Sequence, residues 1–236
     1  IWSGNSAEII GFPGVGRSNL LGILSYNRAC RQLHLGNAHN DIHFVLMNFS
    51  EMRKKDETEV LKFFFLAIID SLKERSMDKE AEKAQILLKE SLEIPDQQVV
   101  LQGLKKLIDY LSLEKKLSLV FLIDRFEDYI PNISPEFFTN LRALRNRAKY
   151  KFSVVFSVNR PLEETLDPSI YTDFYEFLEG NQIYLPLKDM ASLNFRIFYL
   201  QTTAKKKLTE DKIKKILNLT AGHGKLTRLS IEACLE

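Results

Sequence analysis

Cysteine is scarce: Cys30 and Cys234 are the only two in 236 residues, and they lie far apart. Their separation gives no metal-ligand spacing and no disulfide framework, so reduced thiols in a cytoplasmic protein are the expectation. An excess of one charge sign is also missing. Lys and Arg total 33 against 31 Asp and Glu, a net charge of +2, so global charge argues for neither nucleic acid nor a membrane surface. The longest apolar runs, "FFFLAII" among them, fall well short of a membrane span, and no signal-peptide pattern is visible. Internal repeats and low-complexity segments are absent as well. What remains is a globular chain large enough to bury roughly 70–75% of its unfolded surface without disulfide staples. Its opening on Ile1 and its stop inside "RLSIEACLE", an apolar-periodic stretch without a stop signal, read as a piece of a longer protein.

Five apolar runs of strand length are present: "AEIIGF" from Ala7, "IHFVLMNF" from Ile42, "LSLVFLID" ending at Asp124, "FSVVFSVN" from Phe152 and "QIYLPL" from Gln182. They are continuous rather than alternating, the pattern of strands buried on both faces of a parallel sheet. Helical patterns lie between them, over 18–34, about 57–76, 78–92, 97–114 and 135–149, and the segment 189–236 reads as helix throughout. The charges of 77–96 fit a solvated helix and turn. Alternating strands and helices with a helical tail imply an α/β core over 1–188 and a small helical lid over 189–236.

The most informative stretch is Gly11-Phe-Pro-Gly-Val-Gly16-Arg17-Ser18, which has the spacing of a phosphate-binding loop with arginine in place of the usual lysine. Glycines let backbone N–H groups turn inward on a phosphate, and the following helix directs its positive end at the same point. Gly11, Pro13, Gly14, Val15, Gly16 and Asn19 are therefore candidate nucleotide-binding residues, Arg17 a candidate for the β- and γ-phosphates, and Ser18 a candidate Mg²⁺ ligand. Guanidinium is a wide planar fork where ammonium is a compact point, so Arg17 is expected to impair hydrolysis more than binding.

Such a loop needs a carboxylate at the end of a neighbouring buried strand to hold Mg²⁺, and "LSLVFLIDRFEDY" supplies Asp124. Arg125 stands where many hydrolysing enzymes carry the water-polarising Glu. Glu127, three residues on from Asp124, is the nearest substitute. Asn159, closing the next strand, is a candidate to orient the attacking water. Arg160 after it suits either a γ-phosphate contact or a surface ion pair. Arg142 and Arg145, three apart and continued by Lys149, form either a solvated basic face or a cationic group completing a nucleotide site in this chain or a neighbour.

The order of the loop, "LVFLIDRFED", "LRALRNRAKYKFSVVFSVNRPL", "IYLPL" and "TAGHGKLTRLS" resembles the STAND branch of AAA-type P-loop ATPases, with features shared by origin-recognition-like ATPases. The resemblance implies a three-layer α/β/α core with a parallel sheet of order 5-1-4-3-2 and a C-terminal helical lid. It implies ATP/ADP with Mg²⁺, adenine rather than guanine, Pro186 at the base pocket and Arg228 as a lid arginine sensing the γ-phosphate. His223, with Gly222, stands at the lid element that packs on nucleotide, although Gly224 replaces its usual proline. Taken alone His223 would read as a helix-start residue. The function implied is a regulatory ATP/ADP switch domain of a multidomain signalling or defence protein. Its expected partners are nucleotide, other domains of the same protein and, with ATP, further copies of itself. Two alternatives stand beside it: a DNA-associated AAA-type ATPase or loader, and an interaction module whose nucleotide site has decayed.

Overall fold

The structure is a computed structural model that describes residues 4–94 and 96–235. In chain order the elements are β1 (Ala7–Ile10), α1 (Arg17–Tyr26), α2 (Arg28–Leu35), β2 (Ile42–Asn48), α3 (Glu57–Glu74), α4 (Asp78–Leu92), α5 (Gln97–Asp109), β3 (Ser118–Asp124), α6 (Pro135–Ala148), β4 (Phe152–Val158), α7 (Leu162–Thr165), α8 (Pro168–Tyr175), β5 (Gln182–Tyr184), α9 (Met190–Ala204), α10 (Glu210–Leu219) and α11 (Gly224–Leu235). Ile1–Ser3, Pro95 and Glu236, at the edges of the sequence expectations, lie outside the described residues.

The strands form one parallel sheet of order β2-β3-β4-β1-β5, the expected 5-1-4-3-2 read from its other edge. Alternate residues feed two cores. Ile9, Phe44, Val120, Leu122 and Val155 pack with Leu21 of α1 on one face. Ile10, Val45, Met47, Phe121, Ile123 and Phe156 face the larger core built with α3, α5, α6 and α8. Both faces are therefore covered by helices, which explains why the strands are apolar without alternation. The last three helices enclose a separate small core of Ile197, Ile216, Ile231 and Leu235.

Three local departures from the sequence reading have physical causes. The helix expected over 18–34 is two helices, because Asn27 takes an extended conformation and its side chain accepts from the Cys30 backbone N–H at 2.9 Å. Asparagine is among the best residues for starting a helix in this way. The last strand stops at Tyr184: Leu185 N still donates to Ile10 O at 2.8 Å, and Pro186, whose ring fixes φ at about −65°, follows it. Two further short helices, α7 and α8, fill 162–175. The second starts at Asp167, which accepts from Ser169 N at 2.9 Å.

One buried polar group follows from this layout. His43 on the edge strand β2 is almost fully buried, and its Nε2 lies 2.9 Å from Ser71 Oγ on α3. Ser71 donates its only hydroxyl proton to Ile68 O, so His43 donates from Nε2 and its ring is neutral at Nδ1. Burial first, and then the positive charges of Arg75 and Arg31, push its pKa down to about 3. An unfolded histidine titrates near 6.5. The unfolded chain thus binds more protons between about pH 3 and 6.5, and this group's contribution to stability falls as pH falls through that window. In buffer free of phosphate and sulfate, His43→Gln should flatten the acid limb of unfolding free energy by up to about 1.4 kcal/mol per pH unit. Denaturant titrations of both proteins between pH 4 and 7 measure it; parallel curves would show that His43 is already charged when folded.

Candidate nucleotide site

The C-terminal ends of β1, β3 and β4 lie side by side, and the residues singled out by sequence gather there. After β1 the loop turns at Gly14 and Gly16, whose φ values of 90° and 116° are accessible to glycine and strained for other residues. Gly14 also has no room for a side chain. A Cβ there would lie 2.7 Å from His223 Cε1 and 2.9 Å from Lys225 Cβ. Helix α1 then begins without a side-chain cap and without an acidic residue in its first turn. By contrast, α3, α5 and α9 are each capped by an aspartate. The first N–H groups of α1 are left free to meet an anion.

Arg17 is 8% exposed and turned toward Glu127, with Nη2–Oε1 at 2.5 Å and Nη1–Oε2 at 3.4 Å. The side chain in the lysine's place is therefore ion-paired across the site, 110 residues along the chain. Glu127 is held in this position by its neighbour. Phe126 is fully buried against Phe156, with ring centroids 4.7 Å apart, and packs on Phe49 and Phe137. Asp124, at the end of β3, is buried, and its Oδ1 accepts from Ser157 Oγ and from the Arg125 N–H, each at 3.0 Å.

The C-terminal helices close over the loop. His223 Nδ1 accepts from Leu226 N at 3.3 Å, so its Nε2 donates, to Pro13 O at 2.8 Å. Lys225 N donates to Gly14 O at 3.2 Å. Between loop and helices lies a cup of about 230 Å³ lined by Gly14, Gly16, Arg17, Ser18, Asn19, Arg196, Lys225 and Arg228. Its four cationic side chains and uncapped helix start suit a polyphosphate. A larger cleft of about 600 Å³ adjoins it, walled by Val15, Leu20, Ile23, Pro186, Phe195 and Tyr199. Apolar walls beside a cationic cup match the two chemistries of a nucleotide, base and phosphates.

Not every candidate converges here. Asn159 and Arg160 are exposed just past β4 and make no hydrogen bond or ion pair among the described residues. Arg142 is paired with Asp173 at 3.0 Å and lines a different cavity with Tyr171 and Tyr175. Arg145 donates to Gly4 O at 3.2 Å and lies over the Phe177 ring at 3.5 Å. Neither arginine lines the cup of its own chain. Sequence reasoning missed Arg196, Lys225, Phe195 and Tyr199. Ser192, Phe195, Arg196 and Tyr199 recur at helical i, i+3, i+4, i+7 spacing, a face whose exposed aromatics were the available signal.

No family model and no curated protein sequence matches the chain. Solved structures do. The chain is similar to the Aeropyrum pernix ORC1 protein in complex with DNA (TM-score 0.55, 14% identity, covering 98% of this chain and 53% of that one). It is similar also to the Aeropyrum pernix ORC2 protein in its ADPNP–ADP complexes (TM-score 0.54, 15% identity, 98% and 54%). A third is Cdc6p from Pyrobaculum aerophilum (TM-score 0.50, 18% identity, 96% and 52%). The chain thus has the α/β fold of these proteins and spans about half the length of each.

The packing of α11 on the loop makes Gly14 a sensitive position. Gly14→Ala should destabilise the protein by about 1–3 kcal/mol through backbone strain and the collision with His223. It should also raise amide exchange in α11, and His223→Ala in the same chain should recover part of both effects. Unchanged exchange in α11 would mean that its contact with the loop is not held by close packing.

Proposed function

We propose that this chain is an ATP/ADP-binding AAA-type module of a DNA-associated ATPase, in which nucleotide governs how the C-terminal helices sit on the phosphate loop and hydrolysis is slow. The observation that carries the nucleotide part is the cationic cup shared between loop and helices, with Arg17 at its floor. Support for the DNA-associated part is the likeness to the ORC1 protein solved in complex with DNA, and the likeness to the ORC2 protein in its ADPNP–ADP complexes adds support for nucleotide. The signalling-switch reading, which the sequence resemblance put first, has no counterpart among those neighbours, and the DNA-associated alternative has one.

In this reading the uncapped N–H groups of α1 and the loop backbone bind the phosphates, and Ser18 and Asp124 hold Mg²⁺. Bound there, Mg²⁺ would neutralise charge developing on the phosphates. Arg17 exchanges its Glu127 carboxylate for phosphate oxygens, a swap of one charge-assisted fork for another. Arg196, Lys225 and Arg228 bring the lid's charge to the same phosphates, so lid position depends on what the cup contains. A ligand can shift that position only by its differential affinity for the two arrangements. Pro186, Phe195 and Tyr199 wall the base. Glu127, released once Arg17 turns to phosphate, is then the carboxylate available to orient water, and Arg125 in place of the usual water-polarising Glu fits weak turnover.

Glu127 then opposes nucleotide binding, because it occupies the guanidinium that phosphate needs. Calorimetric titration should show micromolar binding of MgATP and ADP, weakened tenfold or more by Arg17→Ala, a loss of about 1.4 kcal/mol. Glu127→Gln should instead tighten nucleotide several-fold while lowering the stability of the nucleotide-free protein. Absence of binding to folded, nucleotide-free protein would overturn the reading, and unchanged affinity in Glu127→Gln would remove the competition between carboxylate and phosphate. The DNA-associated part is checked separately, by duplex binding whose affinity falls steeply with salt.

A further inference from the structure

Across the sheet from α1, helices α6, α7 and α8 border a second cavity, of about 390 Å³, that shares no residue with the nucleotide cup or its adjoining cleft. Phe138 of α6 and Phe174 of α8 pack on Phe156 of β4, on the opposite face from Leu21 of α1. Tyr171 and Tyr175, one turn apart on α8, form an aromatic wall of the cavity, with ring centroids 5.7 Å apart at 58°. Arg142 on α6, Glu163 on α7, and Thr172 and Glu176 line it as well. Tyr171 is only 5% exposed, and its ring is held 6.2 Å from that of Phe138. Its hydroxyl nevertheless has no hydrogen-bond partner among the described residues, whereas a buried phenol ordinarily finds one.

The rest of the lining is rich in acceptors. Thr172 donates its only hydroxyl proton to Pro168 O at 2.5 Å, which leaves its lone pairs for any other partner. The charge of Arg142 is balanced by Asp173 at 3.0 Å. Glu163 and Glu176 make no ion pair among the described residues, and Glu163 has a long contact from Gln182 Nε2 at 3.5 Å. Arg145, on which Glu176 acts through space, gives its Nε to Gly4 O and its face to Phe177. Burial first, and then the negative charge of Glu163, raise the pKa of Tyr171, so the phenol is neutral. The two unpaired carboxylates therefore set the sign of the cavity. They repel an anion, and a neutral molecule leaves them unmatched. A guanidinium suits every part of this lining: its fork of N–H groups meets carboxylate and phenol oxygens, and its plane lies against tyrosine rings.

We propose that Tyr171, Tyr175, Glu163 and Glu176 form a site for a guanidinium group on a short apolar stem, carried either by a free small molecule or by an arginine side chain of a bound polypeptide. The site does not depend on the function proposed above. The cationic nucleotide cup repels such a probe, so the test reads this cavity alone.

An NMR titration of the chain with butylguanidinium chloride at constant ionic strength follows the ring resonances of Tyr171 and Tyr175. Both should move saturably, with a dissociation constant of about 1 mM. Butylurea, the neutral molecule of the same shape, should leave them in place. Glu163→Gln combined with Glu176→Gln should weaken binding about tenfold, and because both side chains are exposed the double variant is expected to fold. Tyr171→Phe should weaken binding several-fold without lowering the unfolding midpoint, since the hydroxyl has no partner in the fold to lose. N-acetylarginine amide separates the two sources: an equal response assigns the site to an arginine side chain as well, and a response to butylguanidinium alone restricts it to a free molecule. Rings indifferent to butylguanidinium, an equal response to butylurea, or binding undiminished in the double variant would overturn the site.

Discussion

A guanidinium buried beneath the glycine-rich loop is costly without a negative partner, and Glu127 supplies one to Arg17. Much of the site's form depends on that constraint. The pair ties the first turn of α1 to the segment after β3, elements far apart in sequence, and so joins the loop to the strand that carries Asp124. It is held from the other side by Phe126, buried among Phe49, Phe137 and Phe156, which leaves Glu127 little freedom to turn elsewhere. Removing either partner would leave the other charge poorly solvated, since Arg17 is 8% and Glu127 21% exposed. In the proposed reading a phosphate is the other anion that takes the guanidinium.

The lid meets this loop through backbone carbonyls rather than through apolar packing. His223 on Pro13 O and Lys225 N on Gly14 O are directional contacts to a segment whose glycine leaves no clearance. Gly224 fits the same crowding, since a Cβ there would lie 3.2 Å from Gly14 O. The lid's own core of isoleucines and leucines holds its helices together independently. In the proposed reading, it is these few polar contacts over the charged cup that a ligand would have to favour or disfavour to shift the helices.

The strands were legible because burial on both faces leaves continuous apolar runs, and the loop because its glycines and flanks are tightly spaced. Asp124 was legible as the polar end of such a run. The break at Asn27 was carried by a capping residue that periodicity alone overrides, since the apolar pattern passes through it. Arg142 and Arg145 read equally well as a solvated face or as site residues. Their engagement with Asp173 and with Gly4 O and Phe177 depends on contacts made by distant parts of the chain.

Residue type and spacing by themselves determined the parallel sheet, the glycine-rich loop at the end of its first strand and the charge of the group at position 17. These are local matters: an apolar run, a set of permissive φ angles and a helix start each need only a few neighbours in sequence. Only the tertiary structure decided that Arg17 faces Glu127 and that Arg196 and Lys225 join the cup. Each of those depends on which way a side chain points after helices pack across a sheet. The energy of a charge is set by whatever stands within a few ångströms of it, and for these groups those neighbours come from remote segments.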